Sequence, residues 1–177
     1  QTCIAGSRAY VHASIYDQMV ERLLQRARQI RLGDPLLPDT QMGPVATAAQ
    51  LQKDMSMVDR AVSEGAELLC GGRRASVPSL ERGFFFEPTI LHNMQPDNHL
   101  MNEEVFGPVL SLARFTDDDE VVALANGTRF GLAAGVWTRD VSRAHTMARS
   151  LQAGTVWINM YRAMAFNSPS GGYKMSG

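Results

Sequence analysis

A chain of 177 residues, 45% hydrophobic and 20% charged with a formal net charge of −1, has the balance of one globular domain. At that length roughly 70% of the unfolded surface disappears on folding. Near-neutral charge without a run of Lys or Arg excludes the electrostatic footprint of a nucleic-acid binder. No apolar stretch approaches the ~20 residues of a membrane span and no signal-peptide pattern opens the sequence, so no membrane partner is expected.

Arg8–His12 reads as a short strand. Ser14 is placed to cap a helix, with Asp17 at the third position, and Ile15, Met19, Leu23, Ala27 and Ile30 recur at helical spacing until Gly33 and Pro35. Cys3 precedes this segment, so its thiol is expected near a loop-to-helix junction, where N–H groups and the helix dipole favour thiolate. Thr47-Ala48-Ala49-Gln50 is a capping-box pattern opening a second helix. There Leu51, Met55, Val58 and Val62 share a face, and the helix ends at Gly65. Leu68-Leu69-Cys70 reads as a strand closed by Gly71-Gly72. Phe84–Phe86 and Thr89–Leu91 read as strand interrupted by Pro88, which points to an edge or a bulge.

Residues 92–108 carry no clean period. Beyond them the alternation is regular: strand Val109–Phe115, then a helix capped by Thr116 and running to Asn126-Gly127, then strand Leu132–Trp137. A helix with Val141, Ala144, Ala148 and Leu151 on one face follows, and then strand Thr155–Asn159. Apolar strands alternating with helices predict an α/β fold, a mostly parallel sheet flanked by helices. The Gly- and Ser-rich stretch 161–177 leaves the carboxyl end of a strand, where open α/β sheets place ligands.

Cys3 and Cys70 are too far apart in sequence to suggest a disulfide framework. His12, His92, His99 and His145 share no ligand spacing with them, so no metal is expected. Cys70, in an apolar run, reads as buried and inert. Unpaired thiols point to a reducing, cytoplasmic compartment. The first residue is Gln rather than Met, consistent with an amino end that was trimmed or fused.

Three segments carry chemistry in combination: Gln1-Thr2-Cys3-Ile4-Ala5-Gly6, Glu103-Glu104-Val105-Phe106-Gly107-Pro108, and Pro169-Ser170-Gly171-Gly172-Tyr173-Lys174 through to Gly177. In this order and spacing they resemble the NAD(P)-dependent aldehyde dehydrogenases over essentially the whole chain. The resemblance implies that residues 1–177 are a partial thiol-bearing catalytic domain. It also implies a small-molecule aldehyde as substrate, NAD or NADP as cofactor, and a homo-oligomer in the intact enzyme.

It further implies site residues. Cys3 is the nucleophile within Gln-x-Cys-x-Ala-Gly, and its own N–H is a natural oxyanion donor. Glu104 holds the nicotinamide-side ribose, a carboxylate offering two acceptors to a vicinal diol. Phe106 packs beside the nicotinamide, and Gln50 is a further ribose contact. Ile4, Arg162, Met164 and Ser170 line the aldehyde tunnel. Ser170 stands where the family commonly has an aromatic residue, which widens the pocket or makes it more polar. Arg162 reads either as a selector of acidic or polar aldehydes or as a surface arginine. Asn159 reads either as an orienter of the closing loop or as an ordinary turn cap.

The family's general-base Glu, its oxyanion Asn and its Rossmann-type cofactor domain all precede the nucleophile, and none lies within these 177 residues. The isolated segment is therefore expected to be inactive. Two other readings are a non-catalytic packing or interaction module, and a cysteine hydrolase pairing Cys3 with His12. The second lacks an acid partner in a recognisable pattern.

Overall fold

The computed structural model describes residues 1–78, 80–163 and 167–177. The backbone groups into two compact units, one of Gln1 with Ser7–Arg114, the other of Thr2–Gly6 with Phe115–Gly177.

The first unit is built on a four-stranded sheet in the order β1-β4-β3-β2, with β1 Arg8–His12, β2 Glu67–Cys70, β3 Thr89–His92 and β4 Val109–Phe115. β3 and β4 run parallel, whereas β2 joins β3 antiparallel with a bulge between Leu68 and Cys70. The inner strands are apolar on both faces because helices cover both. Leu91, Val109 and Ala113 face α2 (Ala48–Ser63), while Ile90, Leu110 and Leu112 pack with Val20, Leu23, Leu24 and Ala27 of α1 (Tyr16–Arg28). Strand parity thus yields a helix–sheet–helix sandwich, and the α/β fold class holds, with parallel inner pairing.

Several local expectations need correction. Ser14 does not cap α1. A 3₁₀ turn over Ala13–Ile15 intervenes, capped by His12, whose Nδ1 accepts from Ser14 N–H at 3.2 Å. That extra turn rotates the apolar stripe onto Tyr16, which is buried under Arg114, the guanidinium standing 4.5 Å from the ring centroid; Ile15 and Met19 remain exposed. Pro88 does not make an edge: β3 starts immediately after it, lies inside the sheet, and places the bulge in its neighbour β2. Phe84–Phe86 is not a strand but carries a single bridge, Arg74 to Phe86, with Phe85 and Phe86 buried as anchors. Val62 is exposed, and Ala61 takes its place in the core. Thr47 does cap α2, accepting from Gln50 N–H at 3.1 Å.

In the second unit α3 (Asp118–Asn126) is capped by Asp117 rather than Thr116. The Thr116 N–H and hydroxyl both donate to Glu120 instead. Two short sheets follow. β5 (Phe130–Gly131) pairs antiparallel with β8 (Tyr173–Lys174), and β6 (Ala133–Val136) pairs parallel with β7 (Thr155–Ile158). α4 (Val141–Ser150) connects the parallel pair and buries Ala144 and Met147, leaving Val141 exposed outside the expected face. The Asn126 side chain ties the ends of α3 and α4, donating to Ser150 O and accepting from Gln152 N–H at 2.9 and 2.8 Å.

Candidate active site

Thr2–Ala5 forms a tight turn in which Ala5 N–H donates to Thr2 O at 3.0 Å. Cys3 and Ile4 take its central positions, Cys3 exposed and Ile4 half-buried. The helix-junction expectation for Cys3 is thereby corrected. The chain runs from this turn into β1, and the first α-helix begins only at Tyr16, so Cys3 does not sit at that helix's start.

The same unit carries the loop after β7. Trp157 is buried, and its indole N–H donates to Ala163 O at 2.8 Å. Tyr161 sets its ring edge-on to Trp157 at 4.7 Å and tilted to Trp137 at 6.0 Å. Glycines make room for this cluster: a methyl on Gly135 would stand 2.7 Å from the Trp137 ring and 2.8 Å from the Tyr161 ring. A methyl on Gly6, three residues beyond Cys3, would meet the Tyr161 hydroxyl at 3.7 Å, ordinary contact. Burial raises the Tyr161 pKa, partly offset by the Arg162 charge.

Asn159 and Arg162 both adopt left-handed backbone, with φ of 53° and 65°, conformations that cost energy outside glycine and are held by their surroundings. The Asn159 amide donates to Thr138 O and accepts from Thr138 N–H, both at 2.9 Å, so it closes a turn. Arg162 and Ser170 are exposed on this loop, whereas Met164 lies outside the described residues.

In the first unit the three residues expected to meet a nucleotide are brought together. One turn of α2 grips the segment before β4. Lys53 Nζ donates to Glu104 O at 2.8 Å, and Gln50 Nε2 donates to Val105 O at 2.9 Å. Val105 is buried, while Glu104 and Phe106 are presented outward. Phe106 adopts φ 64°, and the turn this creates aims its ring and the Glu104 carboxylate to solvent from a fixed base. The amide nitrogen of Gln50 is committed within the protein, bonding Asp54 Oδ1 as well, so its observed task is to hold the turn.

The remaining reactive side chains have local employment. Cys70 is half-buried rather than buried as expected; its thiol lies 3.6 Å from Pro88 O, and burial pushes its pKa up. His12 is engaged through its Nδ1 with Ser14 at the cap. Among the described residues no group of three His, Cys, Asp or Glu gathers as a metal site, and no helix is long and apolar enough to cross a membrane.

Sequence reasoning missed two members of this arrangement, Asp54 and the Trp157–Tyr161 pair. Asp54 beside Lys53 looks solvated, yet it stands three residues after Leu51 and four before Val58, on the face that becomes buried. Strand parity carries the signal for Trp157, which falls on the buried side of β7.

The profile of the aldehyde dehydrogenase family matches residues 1–177. Betaine aldehyde dehydrogenases of Brucella anthropi and Brucella melitensis are each 46% identical over all 177 residues. The chain spans 36% of the length of these curated relatives. The crystal structure of a betaine aldehyde dehydrogenase point mutant from Staphylococcus aureus in complex with NAD+ is 40% identical and superposes with a TM-score of 0.97, covering 99% of this chain and 36% of that one. Matched along its whole length, the chain belongs to the aldehyde dehydrogenase family.

Proposed function

We propose that this segment supplies the nucleophile and part of the nucleotide site of an enzyme oxidising an aldehyde to a carboxylate, with NAD as cofactor. The observation that carries the reading is the exposed Cys3 thiol in a tight turn, within a chain that matches the family from end to end. The relatives' lengths make this the activity of a longer polypeptide, and the 177 residues alone are expected to be inactive.

Cys3 acts as thiolate, its sulfur adding to the aldehyde carbon while the carbonyl oxygen becomes an oxyanion. The Cys3 N–H is this chain's donor to that oxygen. A nicotinamide nucleotide, when bound, would supply the hydride acceptor, and Cys3 would hold the acyl group as a thioester once hydride has left the thiohemiacetal carbon. Water then cleaves the C–S bond, releasing the carboxylate and restoring the thiol. Activation of that water and the second oxyanion donor are assigned to residues outside this segment.

The residues present fit a nicotinamide riboside. Glu104 offers an exposed carboxylate for a vicinal diol, and two residues on Phe106 offers an exposed ring on a strained, well-anchored turn. The S. aureus relative's complex with NAD+ supports NAD over NADP. Ile4, Arg162, Met164 and Ser170 are assigned to the aldehyde tunnel. Relatives that take their name from betaine aldehyde support a small polar aldehyde, and for any acidic member of that class the exposed Arg162 offers an opposite charge. Exposed Trp137, Val141 and Met160 support association into a homo-oligomer, and two free thiols suit a cytoplasmic setting.

Cys3→Ser in the full-length enzyme tests the reading. Aldehyde oxidation is expected to fall by about 1000-fold or more while NADH still binds. Turnover within a few-fold of wild type would overturn it.

A further inference from the structure

Among the described residues Asp54 is the one carboxylate in the first unit's core, and the catalytic reading gives it no task. It is 0% exposed. Its Oδ1 accepts from Gln50 Nε2 at 2.6 Å, and the same nitrogen donates to Val105 O at 2.9 Å. Its Oδ2 is buried without a hydrogen-bond partner among the described residues. Gly107 lies flat against the carboxyl group, so closely that a methyl there would collide with Cγ and both oxygens. Asp54 thus touches the Glu104–Gly107 turn at two points, through Gln50 to the Val105 carbonyl and directly at Gly107.

An ionised carboxylate with one oxygen unpaired in a dry site is costly, and the neutral acid far less so. Burial raises the Asp54 pKa, against the hydrogen bond from Gln50 and the positive charge of Lys53. Ionisation would demand donors or water at Oδ2, and the space for either is filled by Gly107. The turn must therefore shift when the proton leaves.

We propose that Asp54 is a positioning residue for the Glu104–Gly107 turn and sets how tightly the nucleotide is held there. The inference rests on the nucleotide reading of Glu104 and Phe106. In the neutral acid the turn is packed and both side chains are aimed. Once Asp54 is ionised, the turn loosens and affinity falls.

Two measurements separate the parts of the proposal. In this chain, the amide resonances of Val105, Phe106 and Gly107 are followed by NMR from pH 4 to 9 in wild type and Asp54→Asn. In the full-length enzyme, NADH affinity is titrated over the same range for wild type, Asp54→Asn and Asp54→Ala. The three amides are expected to shift with one titration in wild type that vanishes in Asp54→Asn. Wild-type affinity is expected to weaken relative to Asp54→Asn by about fivefold across that titration. Asp54→Ala is expected to bind roughly tenfold more weakly at low pH, with Asn recovering most of that loss.

Amides insensitive to Asp54 ionisation overturn the proposal, as does equal pH dependence of affinity in wild type and Asp54→Asn. If wild type binds no NADH while the amides titrate, the nucleotide assignment fails and the coupling of Asp54 to the turn stands. Should Asp54→Ala not fold, the Asn comparison decides alone.

Discussion

Gly154, just before β7, is where the closing loop presses hardest on the scaffold, and Gly154→Ala measures how firmly. A methyl at this position would overlap the Gly171 carbonyl oxygen, lie 2.6 Å from the Gly171 carbonyl carbon and lie 2.9 Å from Gly172 Cα. Ordinary carbon–carbon contact needs about 3.5 Å, so the two carbons alone demand a backbone retreat of roughly 0.6–0.9 Å, and the overlapping oxygen demands more. No side chain can swing aside, because every obstructing atom belongs to main chain. Overpacking of this kind costs about 1–3 kcal/mol. For a chain of this size that is a drop in Tm of about 4–8 °C at the middle of the range. The same displacement moves Ser170, and misplacement near 1 Å can lower turnover by about 100-fold. Gly171→Ala is the control, since a methyl there meets nothing within 4 Å and is expected to change Tm little. The assay is thermal unfolding of both variants, with aldehyde kinetics in the full-length enzyme. Equal stability and equal kinetics for the two variants would refute the close approach and the loop's place in the site.

Acid stability should depend on Glu64. The His99 backbone N–H at 2.9 Å and its Nδ1 at 2.8 Å hold this carboxylate at a pKa of about 2, down from an ordinary 4.5. A depressed carboxylate contributes stability that is complete above pH ~4.5 and lost as pH falls toward 2. Denaturant melts at pH 6, 4 and 3 should therefore show a steeper decline for wild type than for Glu64→Gln, and parallel declines would refute the assignment. Trp157→Phe removes the donor to Ala163 O while keeping a ring against Tyr161, so a loss of about 1 kcal/mol and a raised KM for aldehyde are expected. An unchanged melting temperature and KM would mean that the indole does not hold the loop. Arg162→Ala should cut the preference for acidic over neutral aldehydes by about fivefold. An unchanged kcat/KM ratio would mark Arg162 as a surface residue.

Where one physical signal dominated, the sequence could be read closely. β1 and β4 are observed at the limits their apolar patterns predict, and Thr47 caps α2 as its Thr-x-x-Gln pattern implies. Errors arose where two local signals competed. Ser14 and His12 both offer cap acceptors, and the earlier one prevails, inserting a 3₁₀ turn that shifts the α1 stripe. Thr116 and Asp117 compete likewise, and the carboxylate takes the cap because Thr116 is engaged by Glu120.

The Cys3 turn and the Glu104–Phe106 segment are each contiguous in sequence, so motif resemblance points to both. Asp54 was not, because its importance arises from Gly107, more than fifty positions away, and from burial that a Lys-Asp pair on a helix conceals. The phase of α2 is the sole sequence clue to it.

The decisive measurement is mass spectrometry of the full-length enzyme quenched in acid during turnover. A peptide containing Cys3 that carries the acyl group of the aldehyde, formed only when nucleotide is present and absent from Cys70, is the predicted result. Sustained aldehyde oxidation with Cys3 never acylated would contradict the account.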